Sequence, residues 1–401
     1  MAQNQPRSYD VVLGGQTPTP VNAAVLGGIA GVRRRLTSQN VAQRVAALQE
    51  AVKYGQAGLD LIFQSLKDES AQVRQTAYLL IQNCEELTLE RALQEYNPYQ
   101  LFECLHKHST AQSTTYSVAI SADGQYLVSG GSDKKIVVRS LYTGRIIRTL
   151  SGHTDGVKFV AISPSGQTIF SCSWDNTIKL WNLQSSKALG DGLLHTFAGG
   201  EAGVNCICVD CDGKTLAAGN EDGTIGLWNI ENQENFRTLT AHKNGIKSIA
   251  ITADGNILAT GSADETIKIW DMATGELLHT LEGHSEWVKC LAIIPDGKTL
   301  VSGAQDRTIK LWNLQTGELL NTLEGHWDEV NSIAISRDGN TLVSGGGNLD
   351  KTIRIWHLKT GTPLQVLEGH FNGISSVAMT PSGGKIVSSS WDKTIRVWGA
   401  R

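Results

Sequence analysis

Residues Ala241–Asp271 read AHKNGIKSIAITADGNILATGSADETIKIWD. Three short alternating apolar runs, Ile246–Ile251, Asn256–Thr260 and Thr266–Trp270, are separated by Ala253-Asp254-Gly255 and Ser262-Ala263-Asp264-Glu265. Alternation at period two with turn formers between the runs predicts three antiparallel strands. Phe236–Thr240, just ahead, offers a fourth. The pattern then recurs along the chain, with Trp181, Trp228, Trp270, Trp312, Trp356 and Trp398 spaced by 47, 42, 42, 44 and 42 residues. A four-strand unit returning every forty-odd residues predicts a repeat architecture in which neighbouring units cover one another's apolar faces.

Other residues return in step with the tryptophans: Gly152-His153, Asp175 and Trp181-Asn182; Gly283-His284, Asp306 and Trp312-Asn313; Gly325-His326, Asp350 and Trp356-His357; Gly369-His370, Asp392 and Trp398. This Gly-His … Trp-Asp frame resembles the WD-repeat β-propeller family over about three quarters of the chain. Repeat three departs from it, with Gly199-Gly200 in place of Gly-His and Ala218 where its neighbours carry Ser or Thr. In repeat one, Lys134–Leu141 (KKIVVRSL) aligns with Asn176–Leu183 (NTIKLWNL), which puts Arg139 in the tryptophan position. With that repeat the count is seven, and the resemblance implies an all-β seven-bladed β-propeller. A small all-α domain is expected before it.

The chain of 401 residues has room for one large domain and a small one. Forty-two glycines against eight prolines suit a protein of many tight turns. A net charge of −4 and a pI near 6.2 argue against a dedicated nucleic-acid binder, which would be basic. The seven cysteines form no even secreted-style framework, and no charged-then-apolar leader opens the chain, so a cytoplasmic protein with reduced thiols is expected. No apolar run is long enough to span a membrane, which leaves peripheral association through a partner open.

In chain order, residues 1–18 read as an extended arm, and residues 19–96 as a HEAT-like helical domain. Thr19-Pro20 is a helix-start signal. Val25, Ile29, Val32 and Leu36 set one apolar stripe, Val41, Val45, Leu48 and Val52 a second over about Asn40–Tyr54, ended by Gly55. Leu59, Ile62, Phe63 and Leu66 mark a third helix, and Val73, Ala77, Leu80, Ile81 and Cys84 a fourth. Gly58–Asn83 resembles one HEAT repeat. The propeller is expected over 98–401. Leu101–His108 aligns without gaps on Leu277–His284, so the chain supplies an outer strand before its first inner three and ends at Arg401 without one for the seventh blade. Strand 101–105 is therefore expected to close the ring from the N-terminal side.

His284, Ser302 and Asp306 invite a search for a hydrolase triad. The same trio returns as His153, Ser171, Asp175; His242, Thr260, Asp264; His326, Ser344, Asp350; and His370, Ser388, Asp392. An enzyme has no use for five copies. The resemblance implies instead that these groups join Trp181, Trp270, Trp312, Trp356 and Trp398 in a structural hydrogen-bond network, and no catalytic residue is expected. Cys206-x-Cys208-x-x-Cys211 lacks a fourth zinc ligand, so neither metal nor cofactor is expected. The paired glycines lack the lysine or strand-turn-helix frame of a phosphate loop. Arg33-Arg34-Arg35 suits the end of a helix.

What remains is surface recognition. The resemblance implies a top face lined, blade by blade, by residues flanking the opening of the inner strand and preceding the turn aspartate. The partner-binding candidates there are Tyr116, Lys158, Trp174, Lys247, Trp287, Lys289, Glu329 and Trp391. Tyr116, Trp174 and Trp391 belong to blades one, two and seven, neighbours in a closed ring, and are expected to form one aromatic sector. Trp327 and Phe371 are read as packing residues. The function expected is a non-enzymatic scaffold or adaptor for a peptide or protein partner, with a second contact surface on the helical domain. The alternatives are an enzyme with a channel site, and an RNA-binding propeller using Lys158, Lys247, Lys289 and Arg33 to Arg35.

Overall fold

The computed structural model describes residues 28–81, 96–110, 113–183, 192–200 and 202–400. It divides into two units, Met1–Tyr96 and Asn97–Arg401. The expected arm, the Thr19-Pro20 start and Cys84 lie outside the described residues.

In the first unit, helices α1 (Gly28–Leu36), α2 (Val41–Ala51), α3 (Gly55–Ser65) and α4 (Ala71–Ile81) pack α1 on α2, and α2 and α3 on α4. Their apolar stripes meet in a core of Val32, Leu48, Leu61, Ile62, Val73 and Ile81. Asn40 caps α2 by accepting the Ala42 N–H at 2.9 Å. The second helix was expected to reach Tyr54; it loosens into a 3-10 turn over Val52–Tyr54. Gly55, at φ 54°, breaks it and at once opens α3. Buried Arg44 ties α2 to the α3–α4 turn, reaching Asp68 at 3.0 Å and the Ser38 carbonyl at 2.7 Å.

The second unit is seven four-stranded antiparallel sheets. Blade four shows the plan: Ile246–Ile251, Ile257–Ser262, Ile267–Asp271 and Leu277–Leu281, in that spatial order. Each blade buries one face against the next, so Val288 and Leu291 of blade five pack with Ile267 and Ile269 of blade four. The turn after the second strand needs a residue in the left-handed region. Only blade three uses glycine there, Gly223, while Asn176, Glu265, Arg307 and Lys393 hold φ near 60–70°.

The last sheet orders Ile374–Met379, Lys385–Ser390 and Thr394–Gly399, then Glu103–Ser109 at its outer edge. The strand thus starts two residues later than 101–105. Its register also differs from the gap-free alignment: His108 faces Ile395 as Leu281 faces Ile267, and Leu105 is the extra residue of a bulge between Cys104 and His106. Before it, Tyr99 is buried with its hydroxyl 3.0 Å from Thr341 Oγ1, and Asn97 donates to the Leu364 carbonyl, both in blade six. Across the closure, the Val118 N–H of blade one donates to Ser376 Oγ of blade seven at 3.2 Å.

A candidate protein-binding face

Every innermost strand carries a β-bulge at its second residue, where the pairing skips one position. The skipped residues are Tyr116, Lys158, Asn205, Lys247, Lys289, Asn331 and Ser375. A bulge releases its residue from the ladder and re-aims the side chain. These seven therefore form a ring of side chains where the innermost strands begin, and several reach the next blade. Asn205 donates to the Ile246 carbonyl at 3.0 Å, Asn331 to the Ile374 carbonyl at 3.1 Å, and Ser375 to the Thr115 carbonyl at 2.7 Å. Lys247 pairs with Glu221 at 2.8 Å and Lys289 with Glu329 at 2.9 Å.

Lys158 is different. Its ammonium lies 5.0 Å from the centre of the Trp174 ring, and no carboxylate pairs with it among the described residues. Burial pushes its pKa down, and Lys247 nearby adds to that. Tyr116 meets Trp174 edge-on with ring centres 5.2 Å apart, so blades one and two share one aromatic pair. Trp391 makes no ring contact with either among the described residues, so two members of the expected three-residue sector meet and the third stands apart. Trp174 is 44 % exposed and Trp287, beneath the Lys247 ammonium at 5.5 Å, is 46 % exposed.

Trp327 and Phe371 were read as packing residues. They are 76 % and 74 % exposed. Each follows a Gly-His pair whose histidine is buried, and its backbone N–H is held by the turn aspartate, Asp350 or Asp392, which turns the ring outward. Thr154, Lys243 and Ser285 occupy this place in three other blades, so an aromatic where sister repeats are polar was the available signal. Leu349, in the two-residue insertion of blade six, is 82 % exposed.

The repeated trio is assembled in five blades. In blade five, His284 Nδ1 is 2.7 Å from Asp306 and Nε2 is 2.7 Å from Ser302 Oγ, which also accepts the Trp312 indole N–H at 2.8 Å. Blades two, four, six and seven repeat this, with Thr260 in the serine place of blade four. The connectivity matches a hydrolase triad, but each hydroxyl is closed off. Ser171, Thr260, Ser302, Ser344 and Ser388 are 0 % exposed, and an indole already donates into each oxygen. Burial pushes His153, His242, His326 and His370 towards the neutral form against the pull of their aspartates. Burial also works against the charged aspartates, yet the combined hydrogen bonds win, and Asp350 is held at about 2. Blade three lacks the trio, and its Trp228 packs edge-on to Phe197 of the outer strand of blade two, ring centres 6.4 Å apart. Burial drives the thiols of Cys206 and Cys208 up to about 12 and 11.

His357 replaces the asparagine or aspartate that follows the tryptophan in blades two to five. Its Nδ1 accepts the Thr360 N–H at 3.3 Å, so the ring must be neutral there. Burial, then Lys359, pushes its pKa down to about 4 from 6.5. The unfolded chain takes up this proton near 6.5 and the fold resists it, so stability present above 6.5 is lost as the pH falls to about 4, roughly 3 kcal/mol in all. His357→Asn is expected to flatten the fall in melting temperature over that window. A variant with the parent's pH profile would refute the assignment.

A model of the WD domain, G-beta repeat, matches residues 102–140, 144–182, 192–229, 233–271, 275–313, 317–357 and 361–399. The chain belongs to the WD-repeat family. Protein groucho of Drosophila melanogaster is 35% identical over 81 residues, 20% of this chain and 11% of that one. An uncharacterized WD repeat-containing protein of Synechocystis is 39% identical over 88 residues, 22% and 25% of the two chains. Pre-mRNA-processing factor 19 of Mus musculus is 32% identical over 105 residues, 26% and 21%. The matches span a quarter or less of the relatives' lengths. WD-repeat propellers are generally scaffolds for protein interaction. Among the described residues no helix is long and apolar enough to cross a membrane.

Proposed function

We propose that this WD-repeat protein is a non-enzymatic, cytoplasmic adaptor that holds a peptide or protein partner on the face carrying the bulged ring. The observation that carries this reading is the Tyr116–Trp174 pair with Lys158 against it: a half-exposed aromatic pair beside a cation without an acidic partner. Such a group suits an acidic side chain flanked by apolar ones. Trp327, Leu349 and Phe371 supply further apolar contact on blades six and seven, and the helical unit a second surface. An RNA partner is less well served, because Lys247 and Lys289 are already engaged by Glu221 and Glu329. Among the described residues the enzyme alternative rests on the buried, repeated trio.

Capture of the main partner from extract of the native cell tests this. Trp174→Ala should weaken it by about thirtyfold, or roughly 2 kcal/mol, while the melting temperature stays within a degree or two. Trp287→Ala should matter less. Capture that survives both Trp174→Ala and Lys158→Ala, yet vanishes on removal of residues 1–95, would place the interface on the helical unit instead. Binding that falls steeply with salt and survives protease but not ribonuclease treatment of the extract would favour RNA.

A further inference from the structure

Blade one lacks both rings of the trio. The position four residues before its innermost strand, histidine in five sister blades, is Ala111, and the tryptophan position is Arg139. Ser129 and Asp133, which would serve the missing rings, are present. Blade three, by contrast, keeps its tryptophan, Trp228, packed edge-on to Phe197. Blade one has neither ring. A cavity of about 320 Å³ opens here, between the outer-strand end at Ser109 and Thr110 and the strands of blade one.

The cations of this cavity form no ion pair among the described residues. Arg139 is half-buried; its Nη1 makes one long hydrogen bond, 3.3 Å to the Gly144 carbonyl, and its buried Nε has no partner. Burial alone pushes its pKa down, with no carboxylate to offset it. Lys135 also lines the wall and makes no ion pair among the described residues, and the single acid, Asp133, only receives the Lys135 backbone N–H at 3.3 Å. Next to Arg139, His108 has a second buried nitrogen without a partner. Two cations and one acid leave the cavity net positive. Hydroxyls of Ser113, Thr115 and Ser129 line the rest.

We propose that the blade-one cavity is a binding site for a small oxyanion, a molecule whose phosphate or carboxylate group is held by Arg139 and Lys135 and whose short polar body contacts the hydroxyls. A guanidinium fork matches both groups in a bidentate way, and a buried donor without a partner gains most from an anionic acceptor. The volume lies at the small end of ligand pockets. The site uses neither the bulged ring nor the exposed aromatics, so it stands independently of the partner-binding reading.

The test titrates the full chain with inorganic phosphate and, separately, malate, at constant ionic strength, by calorimetry and thermal shift. Saturable binding of at least one is expected, weakened tenfold or more by Arg139→Gln and severalfold by Lys135→Gln. Arg139→Trp, which restores the ring of the sister blades and fills the space, should abolish it. Lys135→Gln lies on an exposed side chain and keeps the test decisive if the Arg139 variants melt early. The proposal is overturned if neither anion binds saturably below about 10 mM, if both variants bind as the parent does, or if an acidic hexapeptide saturates the site while neither small anion does.

Discussion

Removal of residues 1–110 is expected to abolish cooperative unfolding of the propeller, whereas removal of residues 1–95 should leave its transition within a few degrees of the parent's. The shorter deletion keeps every strand. The longer one takes away Glu103–Ser109 and bares the Thr394–Gly399 edge, an apolar strand with unpaired backbone groups at the one place where the ring has to close. It also removes Tyr99, whose ring is buried against Phe102 and whose hydroxyl meets Thr341. Burial lifts that hydroxyl's pKa to about 12, so it stays a neutral donor. Truncating such a buried aromatic alone, Tyr99→Ala, should cost about 3–4 kcal/mol. Losing it with a whole strand exceeds the usual stability of a domain. Gel filtration and thermal melting of the two deletion variants and of Tyr99→Ala decide the matter. Equal solubility and equal melting of both deletions would mean that the N-terminal strand does not hold the ring closed.

The alternation between Ile246 and Trp270 made the blades legible, because a period of two with Asp-Gly turns has few other folds. The tryptophan spacing then set six of them, and the alignment of Lys134–Leu141 on Asn176–Leu183 added the seventh. Position 105 shows where such reading stops. Leu105 looked equivalent to Leu281, since both end a Leu-x-x-x-Leu run, but the pairing puts His108 opposite Ile395, three residues further on, and Leu105 in the bulge that Leu278 makes in blade four; bulges leave no mark in hydrophobicity. The same device is why the bulged ring could be placed only through family resemblance. Trp327 and Phe371 were misjudged for a different reason: an aromatic beside a buried histidine suggests packing, and only the hydrogen bonds to Asp350 and Asp392 show that the chain turns away from the core there. Arg139 was visible as an exception in its repeat. What it leaves empty was not, because a cavity depends on whether neighbouring side chains close over the lost ring.

The buried trio of blade six should show the largest single-residue cost in the propeller's polar interior. Asp350 accepts from His326 at 2.7 Å, from the Trp327 N–H at 2.8 Å, and from both the backbone and the hydroxyl of Thr352. Both side chains of the His–Asp pair are within 1 % of complete burial. Asp350→Ala leaves four donors without an acceptor, one of them in a dry site, so a loss of about 3–5 kcal/mol is expected. His326→Ala removes one donor to Asp350 and one acceptor for the Ser344 hydroxyl, for about 2–3 kcal/mol. Since each single change already breaks the shared bond, the double variant should lose at least ~1 kcal/mol less than the sum. The sign with pH follows from the same geometry. Asp350 is held at about 2, so its contribution is complete above the unfolded value near 4 and fades as the pH falls towards 2. The parent should therefore lose stability over that interval more steeply than Asp350→Ala. Denaturant unfolding of the four proteins at pH 7, with melting scans at lower pH, measures all of this. Additive costs, or single variants as stable as the parent, would show that the trio does not hold the blade together, and an assay for hydrolysis at Ser344 would then be worth performing.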